Sequence, residues 1–383
     1  MPQHRTTVTL LTPPGRGAIA TLSIRGSHAV AAVDACFQAV AGKPLAAAAL
    51  NRILFGRWGK RGEVGEELVV SRIAEEEVEV HCHGGRSAIA AIIASLVQQG
   101  VEETASETWV LATEPDRLTT EARLALSAAR TERTAKHLLV QYQGALREAG
   151  EKIVAQLQRK ECEQAACGIN ELLQRANFGL HLTQPWRVVL AGEPNVGKSS
   201  LMNALLGFSR SIVFDTPGTT RDVVSALTAF DGWLVELLDT AGLRTTTDAL
   251  ESAGVALTEQ QLALADLVLF VVDASCLLEA ANATPAFFLQ EPNCLLVFNK
   301  LDLVASGSEL PISPANCAVS AKSGWGLELL AQRITERLVP HLPANDTAIP
   351  FTNRHRELLT LAHRALLKSD LAQAIAQLED LWR

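Results

Sequence analysis

Residues 192–200 read GEPNVGKSS, a Gly-x4-Gly-Lys-Ser pattern that follows the apolar run RVVLA and opens a helix-forming stretch. That context makes the pattern a phosphate cradle. Glycines let backbone N–H groups close on phosphate oxygens, the helix N-terminus adds positive potential, the Lys198 ammonium reaches the outer phosphates, and the Ser199 hydroxyl is placed to ligate Mg²⁺. A bare glycine turn is the bland alternative. Further clusters weigh against it: Thr219-Thr220-Arg221-Asp222, then Asp239-Thr240-Ala241-Gly242 and Asn299-Lys300-Leu301-Asp302, each closing an apolar strand-like run, then Ser320-Ala321-Lys322.

The order and spacing of these clusters resemble those of the GTPase superfamily. The resemblance implies that Asp302 accepts hydrogen bonds from the guanine ring N–H and amino group, two donors that adenine does not present together. Asn299 would meet the opposite edge of the base, with Lys300, Ser320, Ala321 and Lys322 completing the base pocket. Ser199 and Thr220 would hold Mg²⁺ directly, Asp239 would act through water, and Gly242 would donate its N–H to the γ-phosphate beside Thr240 and Ala241. Leu243 stands where Ras-like enzymes carry a water-orienting glutamine. Leucine has no polar atom for that task, so hydrolysis needs another group for the water and another positive charge for the transition state. Asn195 and the unit FDTPGTTRD, residues 214–222, resemble the potassium-activated GTPases. That likeness implies K⁺ held by the Asn195 side chain and by the carbonyls of Phe214, Thr216 and Thr219. Nucleotide contacts are also expected from Val196, Gly197, Ser200, Asp215, Pro217 and Gly218.

Beyond this segment the chain resembles the MnmE (TrmE) family of tRNA modification GTPases. The residues that carry the likeness are TPPGRGAIA (12–20), HGG (83–85), YQGAL (142–146), DTAGLR (239–244) and TNRH (352–355). The family resemblance implies an N-terminal domain that binds a tetrahydrofolate derivative and forms a homodimer, and a helical domain that carries the GTPase domain as an insertion. It implies an FAD-dependent MnmG-like partner and, as substrate, the wobble uridine of certain tRNAs. Counted along DTAGLRTTTDALESAG from Asp239, the family's water-orienting glutamate falls on Glu251, which without the alignment reads as a solvated helix residue. Glu79 matches a folate-binding glutamate. Ser23 stands where the family has an arginine near the folate, with Arg25 two positions away, and the sequence ends at Leu381-Trp382-Arg383 where the family continues to a Cys-Ile-Gly-Lys tail. Two rival readings stand beside this one. One is a GTP switch acting through protein binding; the other is an Era-like ribosome-assembly GTPase, which shares PGTTRD but for which a basic RNA-binding domain is expected and none is visible.

The elements that must position these residues follow from composition. A chain of 383 residues predicts two or three domains, and a net charge of −8 argues against coating nucleic acid through a broad basic field. The apolar run 267–272 is bracketed by Asp266 and Asp273 and is far shorter than a membrane span of roughly 20 residues, so no membrane segment is expected. Seven scattered cysteines and an N-terminus without a signal-peptide core point to the cytoplasm. Strand-like runs (TTVTLL, AIATLSI, ELVVSRI, EVEVHC) alternating with Ala-rich segments predict an α+β domain over 1–115. The proline-free stretch that follows predicts two or three long helices in a helical domain over 116–184, resumed at 339–383. Between them, 185–338 alternates buried strands with helices, as a parallel α/β sheet requires: a Ras-like P-loop domain set inside the helical one.

Other candidates read more blandly. His81-Cys82-His83 sits in an apparent strand whose alternate side chains face opposite ways, which disfavours a metal cluster. Cys162 and Cys167 face different directions on a helix and read as packing residues. Arg123, Arg130 and Arg133 read as a solvated helix face or as contacts to tRNA phosphates.

Overall fold

The computed structural model describes residues 5–12, 17–59, 65–208, 224–239, 262, 264–276, 293–304 and 316–383. The chain divides into two units, Met1–Ser127 and Ala128–Arg383.

The first unit contains β1 (Thr7–Leu10), β2 (Ile19–Arg25), β3 (Phe37–Ala39), β4 (Ile53–Trp58), β5 (Glu66–Ala74), β6 (Glu77–His83) and β7 (Glu102–Glu103), with β-branched residues concentrated in β1, β2, β5 and β6. Four of these are the predicted runs; β3, β4 and the two-residue β7 had no clear periodic signature. They form one sheet in the order β3-β4-β5-β6-β2-β1-β7, antiparallel except where β1 meets β7. Period-2 alternation puts Val8, Leu22, Ile24, Val70, Val78 and Val80 into a buried core with Ile92 and Leu96 of α2 (Arg86–Gln98), following the short α1 (Ala29–Asp34). The other face carries Thr9, Thr21, Ser23, Glu79 and His81. Cys82 turns into the core while His81 bonds to Thr21 Oγ1 at 3.0 Å and His83 to Glu66 at 2.5 Å, so the His-Cys-His run is split between faces. Two helices follow, α3 (Ser106–Thr113) and α4 (Arg117–Ala128).

The expected two or three helices between Pro115 and Pro185 are four: α4, then α5 (Glu132–Tyr142), α6 (Ala145–Gln158) and α7 (Cys162–Leu180). Local chemistry makes the extra breaks. Thr131 caps α5 by accepting from the Thr134 N–H at 3.2 Å, and Gly144 takes φ +109° before α6. On α7, Cys162 is half-buried and Cys167 is exposed with its Sγ 3.8 Å from Glu171, so Cys167 is not the packing residue its helix position suggested.

The second sheet begins with β8 (Trp186–Ala191) and continues through α8 (Lys198–Phe208), β9 (Val224–Phe230), β10 (Trp233–Asp239), β11 (Leu267–Asp273), β12 (Cys294–Asn299), β13 (Asn316–Ala318) and α9 (Leu327–Leu338). Its order is β13-β12-β11-β8-β10-β9, parallel except for β9, which runs antiparallel to β10. The exception comes from Asp231-Gly232, both at positive φ (+48° and +77°), a two-residue hairpin turn that cannot serve a parallel crossover. The expectation of a wholly parallel sheet is corrected by this edge.

The chain then returns to helices. The expected last helical piece, 353–383, is α10 (Asn353–Leu367) and α11 (Leu371–Glu379), parted by Ser369 at φ +60° and by Asp370, which accepts from the Gln373 N–H at 2.9 Å. Outgoing and returning segments meet. Gln141 of α5 donates to the Thr347 carbonyl at 2.9 Å and accepts from the Ile349 N–H at 3.0 Å, and a Cβ added to Gly179 of α7 would collide with the Pro350 carbonyl oxygen. Among the described residues no helix is long and apolar enough to cross a membrane.

His137 of α5 is 2% exposed, stacked on Trp233 at 5.9 Å and edge-on to Phe178 at 5.5 Å. Burial, and after it the charge of Arg133, hold its pKa below the ordinary 6.5. The unfolded chain therefore takes up this proton before the folded one does, so the site's contribution is complete above about pH 6.5 and shrinks as pH falls below it. His137→Phe is expected to flatten the decline of Tm between about pH 7 and pH 5; thermal unfolding across that range checks it, and parallel curves would refute it.

Candidate functional site

β8 lies between β11 and β10 with Val188, Val189 and Leu190 fully buried, so its C-terminal end is a fixed platform. The chain leaves it through Gly192 at φ +138°, where a Cβ would strike the Val271 carbonyl of β11; only glycine fits. Asn195 follows at φ +67° and is exposed, and Gly197 at φ +92° brings the backbone so near Asn299 that a Cβ would lie 2.5 Å from its Nδ2. The loop thus opens onto α8 with its N–H groups at a helix start, the arrangement that binds phosphate. Lys198 is 6% exposed, and its ammonium donates back to the carbonyls of Gly192 at 2.9 Å and Glu193 at 2.8 Å, which curls the side chain over the loop.

Parallel pairing of β10 with β8 sets Asp239 opposite Leu190. Asp239 is 3% exposed, and the Ser199 hydroxyl donates to its Oδ2 at 2.5 Å. These two oxygens converge at the mouth of the phosphate loop, and hard oxygen donors of this kind suit Mg²⁺.

The residues expected to read the base stand at the ends of β12 and β13. Asn299 is 1% exposed; its Nδ2 donates to the Val196 carbonyl at 3.0 Å and lies 3.5 Å from that of Gly197, while its Oδ1 accepts from the Ala321 N–H at 3.1 Å. One amide therefore braces the phosphate loop against the Ser320–Ala321 loop, a bridging part that the sequence reading did not assign to it. Asp302, exposed on a short turn, accepts from the Ser320 hydroxyl at 2.7 Å, and Ser320 itself is 1% exposed and accepts from the Ser323 N–H at 3.2 Å. Lys300 at φ +63° pairs with Asp273 at 2.6 Å. Burial pushes the Asp273 carboxyl up, but hydrogen bonds from Lys300 and from the Ser275 hydroxyl and N–H, with the Lys300 charge, hold it below the usual carboxylate range. Asp273 was missed as a site residue; its position closing the strand LVLFVVD was the available signal. Val196 is buried, Ser200 and Lys322 are exposed, and residues 214–220, 240–242 and Glu251 lie outside the described residues.

Glu79, the expected folate contact, is on β6, half-buried, 3.4 Å from His81 Nε2 and in register with Ser23 and Ser71. Ser23 is 1% exposed; it accepts from the Trp109 indole at 3.2 Å and donates to Glu77 at 3.2 Å, and Glu77 pairs with Arg25 at 2.8 Å.

A glycine loop closing on a buried lysine, a serine and an aspartate meeting beneath it, and an Asn-Lys-x-Asp turn braced to both define a P-loop GTPase. Residues 187–300 match the family described as 50S ribosome-binding GTPase. Over nearly the whole chain the likeness is to proteins named tRNA modification GTPase MnmE: that of Moorella thermoacetica is 32% identical over 92% of this chain and 87% of its own length, and that of a Synechococcus species 32% over 96% and 88%. The MnmE of Carboxydothermus hydrogenoformans is 28% identical over 98% of this chain and 91% of its own. The chain belongs to the MnmE family, and it is a GTP hydrolase.

Proposed function

We propose that this GTPase hydrolyses GTP to GDP and phosphate as a K⁺-stimulated, Mg²⁺-dependent homodimer in the cytoplasm, and that the cycle serves modification of the wobble uridine of tRNA with an FAD-dependent MnmG-like partner. The observation that carries the hydrolytic part is the Ser199–Asp239 contact at 2.5 Å beside the buried Lys198, which supplies both a metal-binding oxygen pair and a phosphate-binding cation. Ser199 and Thr220 would hold Mg²⁺, with Asp239 reaching it through water. Asn195 and the carbonyls of Phe214, Thr216 and Thr219 would hold K⁺. Bound there, the two cations supply the positive charge that the transferring phosphoryl group needs. The tRNA part rests on membership of a family whose relatives are named for tRNA modification. On this reading residues 1–115 are the folate-binding and dimerising domain, 116–184 with 339–383 the helical domain, and 185–338 the G domain.

Turnover in potassium is expected to exceed that in sodium by about tenfold or more, since an added transition-state charge is worth at least that; equal rates remove the K⁺ site. Glu251→Ala is expected to leave GTP affinity unchanged and slow turnover by about 10²-fold, the usual share of a water-orienting acid or base. Unchanged turnover excludes that role. Wobble nucleosides in tRNA from a deletion strain test the modification itself, and an unaltered nucleoside profile rejects it. A second reading, a GTP switch acting through protein binding, is favoured by Ser23, whose hydroxyl is buried and committed to Trp109 and Glu77 where the family resemblance expects an arginine.

A further inference from the structure

The β9–β10 ribbon has two chemically different ends. At one, Asp239 closes β10 and accepts the Ser199 hydroxyl; at the other, the Asp231-Gly232 turn meets α5. Pairing runs without interruption from Phe230 opposite Trp233 to Val224 opposite Asp239, and β10 is also paired with β8 from Val235 to Asp239. Six steps of extended chain separate Trp233 from Asp239, about 20 Å at roughly 3.3 Å per residue. A ribbon hydrogen-bonded along its length does not bend freely, so its two ends move together.

The far end is held by a clamp. Arg133 donates to the Asp231 carbonyl at 2.6 Å and also pairs with the Asp231 carboxylate, and its guanidinium lies 4.9 Å over the Trp233 ring. Trp233 is 2% exposed, flanked by His137 of α5 and, edge-on at 5.3 Å, by Phe178 of α7. A Cβ on Gly232 would sit 3.1 Å from the Arg133 Cβ, so the turn itself abuts the helix. In sequence, Thr219-Thr220 precede this ribbon and Thr240-Ala241-Gly242 follow it, so both segments expected to touch the γ-phosphate are tethered to it.

We propose that Arg133 and Trp233 are positioning residues for GTP hydrolysis: by fixing the β9–β10 ribbon against α5 and α7 they set Asp239 at the phosphate site, and they tie the nucleotide state to the attitude of the helices. This rests on the assignment of the phosphate site to GTP. Coupling of this kind is reciprocal, so what loosens the clamp changes the nucleotide site and the bound nucleotide changes the clamp.

The test measures steady-state hydrolysis and tryptophan emission with GDP and with a non-hydrolysable GTP analogue on the full chain. The Arg133 side chain is about one-third exposed, at 32%, so Arg133→Ala opens no enclosed cavity, and circular dichroism of the variant checks that the fold is kept. It is expected to lower kcat by between about tenfold and about 100-fold, as displacement of a reacting group from a distance does, with KM within about twofold. Arg133→Lys, which retains the charge opposite Asp231, restores most of the loss. The emission difference between the two nucleotides is expected to be smaller in Trp233→Phe, which leaves the other five tryptophans, Trp325 beside the Ser320 loop among them, in place. Arg133→Ala turnover within about twofold of the unaltered chain, or an emission difference that is undiminished in Trp233→Phe, overturns the proposal while the GTP assignment stands. No hydrolysis by the unaltered chain overturns both.

Discussion

Asp302→Asn is expected to lower GTP affinity by about 10²–10⁴-fold and to raise affinity for xanthosine triphosphate, because it removes two hydrogen bonds to a charged acceptor at about 1.5–3 kcal/mol each. The geometry supports an effect confined to the base. Asp302 is exposed on its turn and the Ser320 hydroxyl holds one carboxylate oxygen at 2.7 Å, which fixes the plane of the group without burying it. An asparagine keeps that bond through its carbonyl and sets an amino group where guanine also presents donors, so two donors face each other. Xanthine carries an oxygen in place of the amino group and accepts instead. Titration of both nucleotides decides the matter: GTP affinity within about tenfold of the unaltered chain would mean that Asp302 does not read the base.

Lys198→Ala is expected to reduce kcat/KM for GTP by about 10²–10³-fold, the scale for losing one preorganised charge at a transition state. The lysine is 6% exposed and already paired with two loop carbonyls, so the substitution removes the cation and strips the Gly192 and Glu193 oxygens of a donor. Lys198→Arg is not a rescue: a planar guanidinium does not fit a buried position shaped for a compact ammonium. Single-turnover hydrolysis measures the effect, and a loss below about tenfold would show that the loop backbone alone carries the phosphate.

What could be read from the chain depended on whether a residue acts through neighbours in sequence or across the fold. The phosphate loop was legible because Gly192, Gly197 and Lys198 do their work within one strand-turn-helix unit. The strand ends were legible because Asp239 and Asn299 close the strand-like runs LVELLD and CLLVFN. Asn299 was read only toward the nucleotide, since its bridge from Val196 to Ala321 joins segments more than 100 residues apart in one direction and about 20 in the other. The partnership of Asp273 with Lys300 needs β11 and β12 to be adjacent and parallel, which no local pattern states. The antiparallel β9 hides in VSALTAF, whose alternation suits either direction; the direction is decided by the Asp231-Gly232 turn. The helix breaks at Thr131, Gly144 and Ser369 rest on single residues inside stretches whose composition favours helix throughout.

The meeting of Gly179 with Pro350 bears on how the chain assembles. Their contact closes a loop of roughly 170 residues, and α7 and α10 can pack only once it is closed. For a disordered loop that closure has an entropic cost which grows slowly with length, about 0.6 kcal/mol for each doubling. The strands β8 to β13 lie between these two residues in sequence, and their pairing into one sheet shortens the free span that remains to be closed. Order in the sheet therefore lowers the entropic cost of bringing α7 and α10 together, so the two helices depend on it for more than contacts.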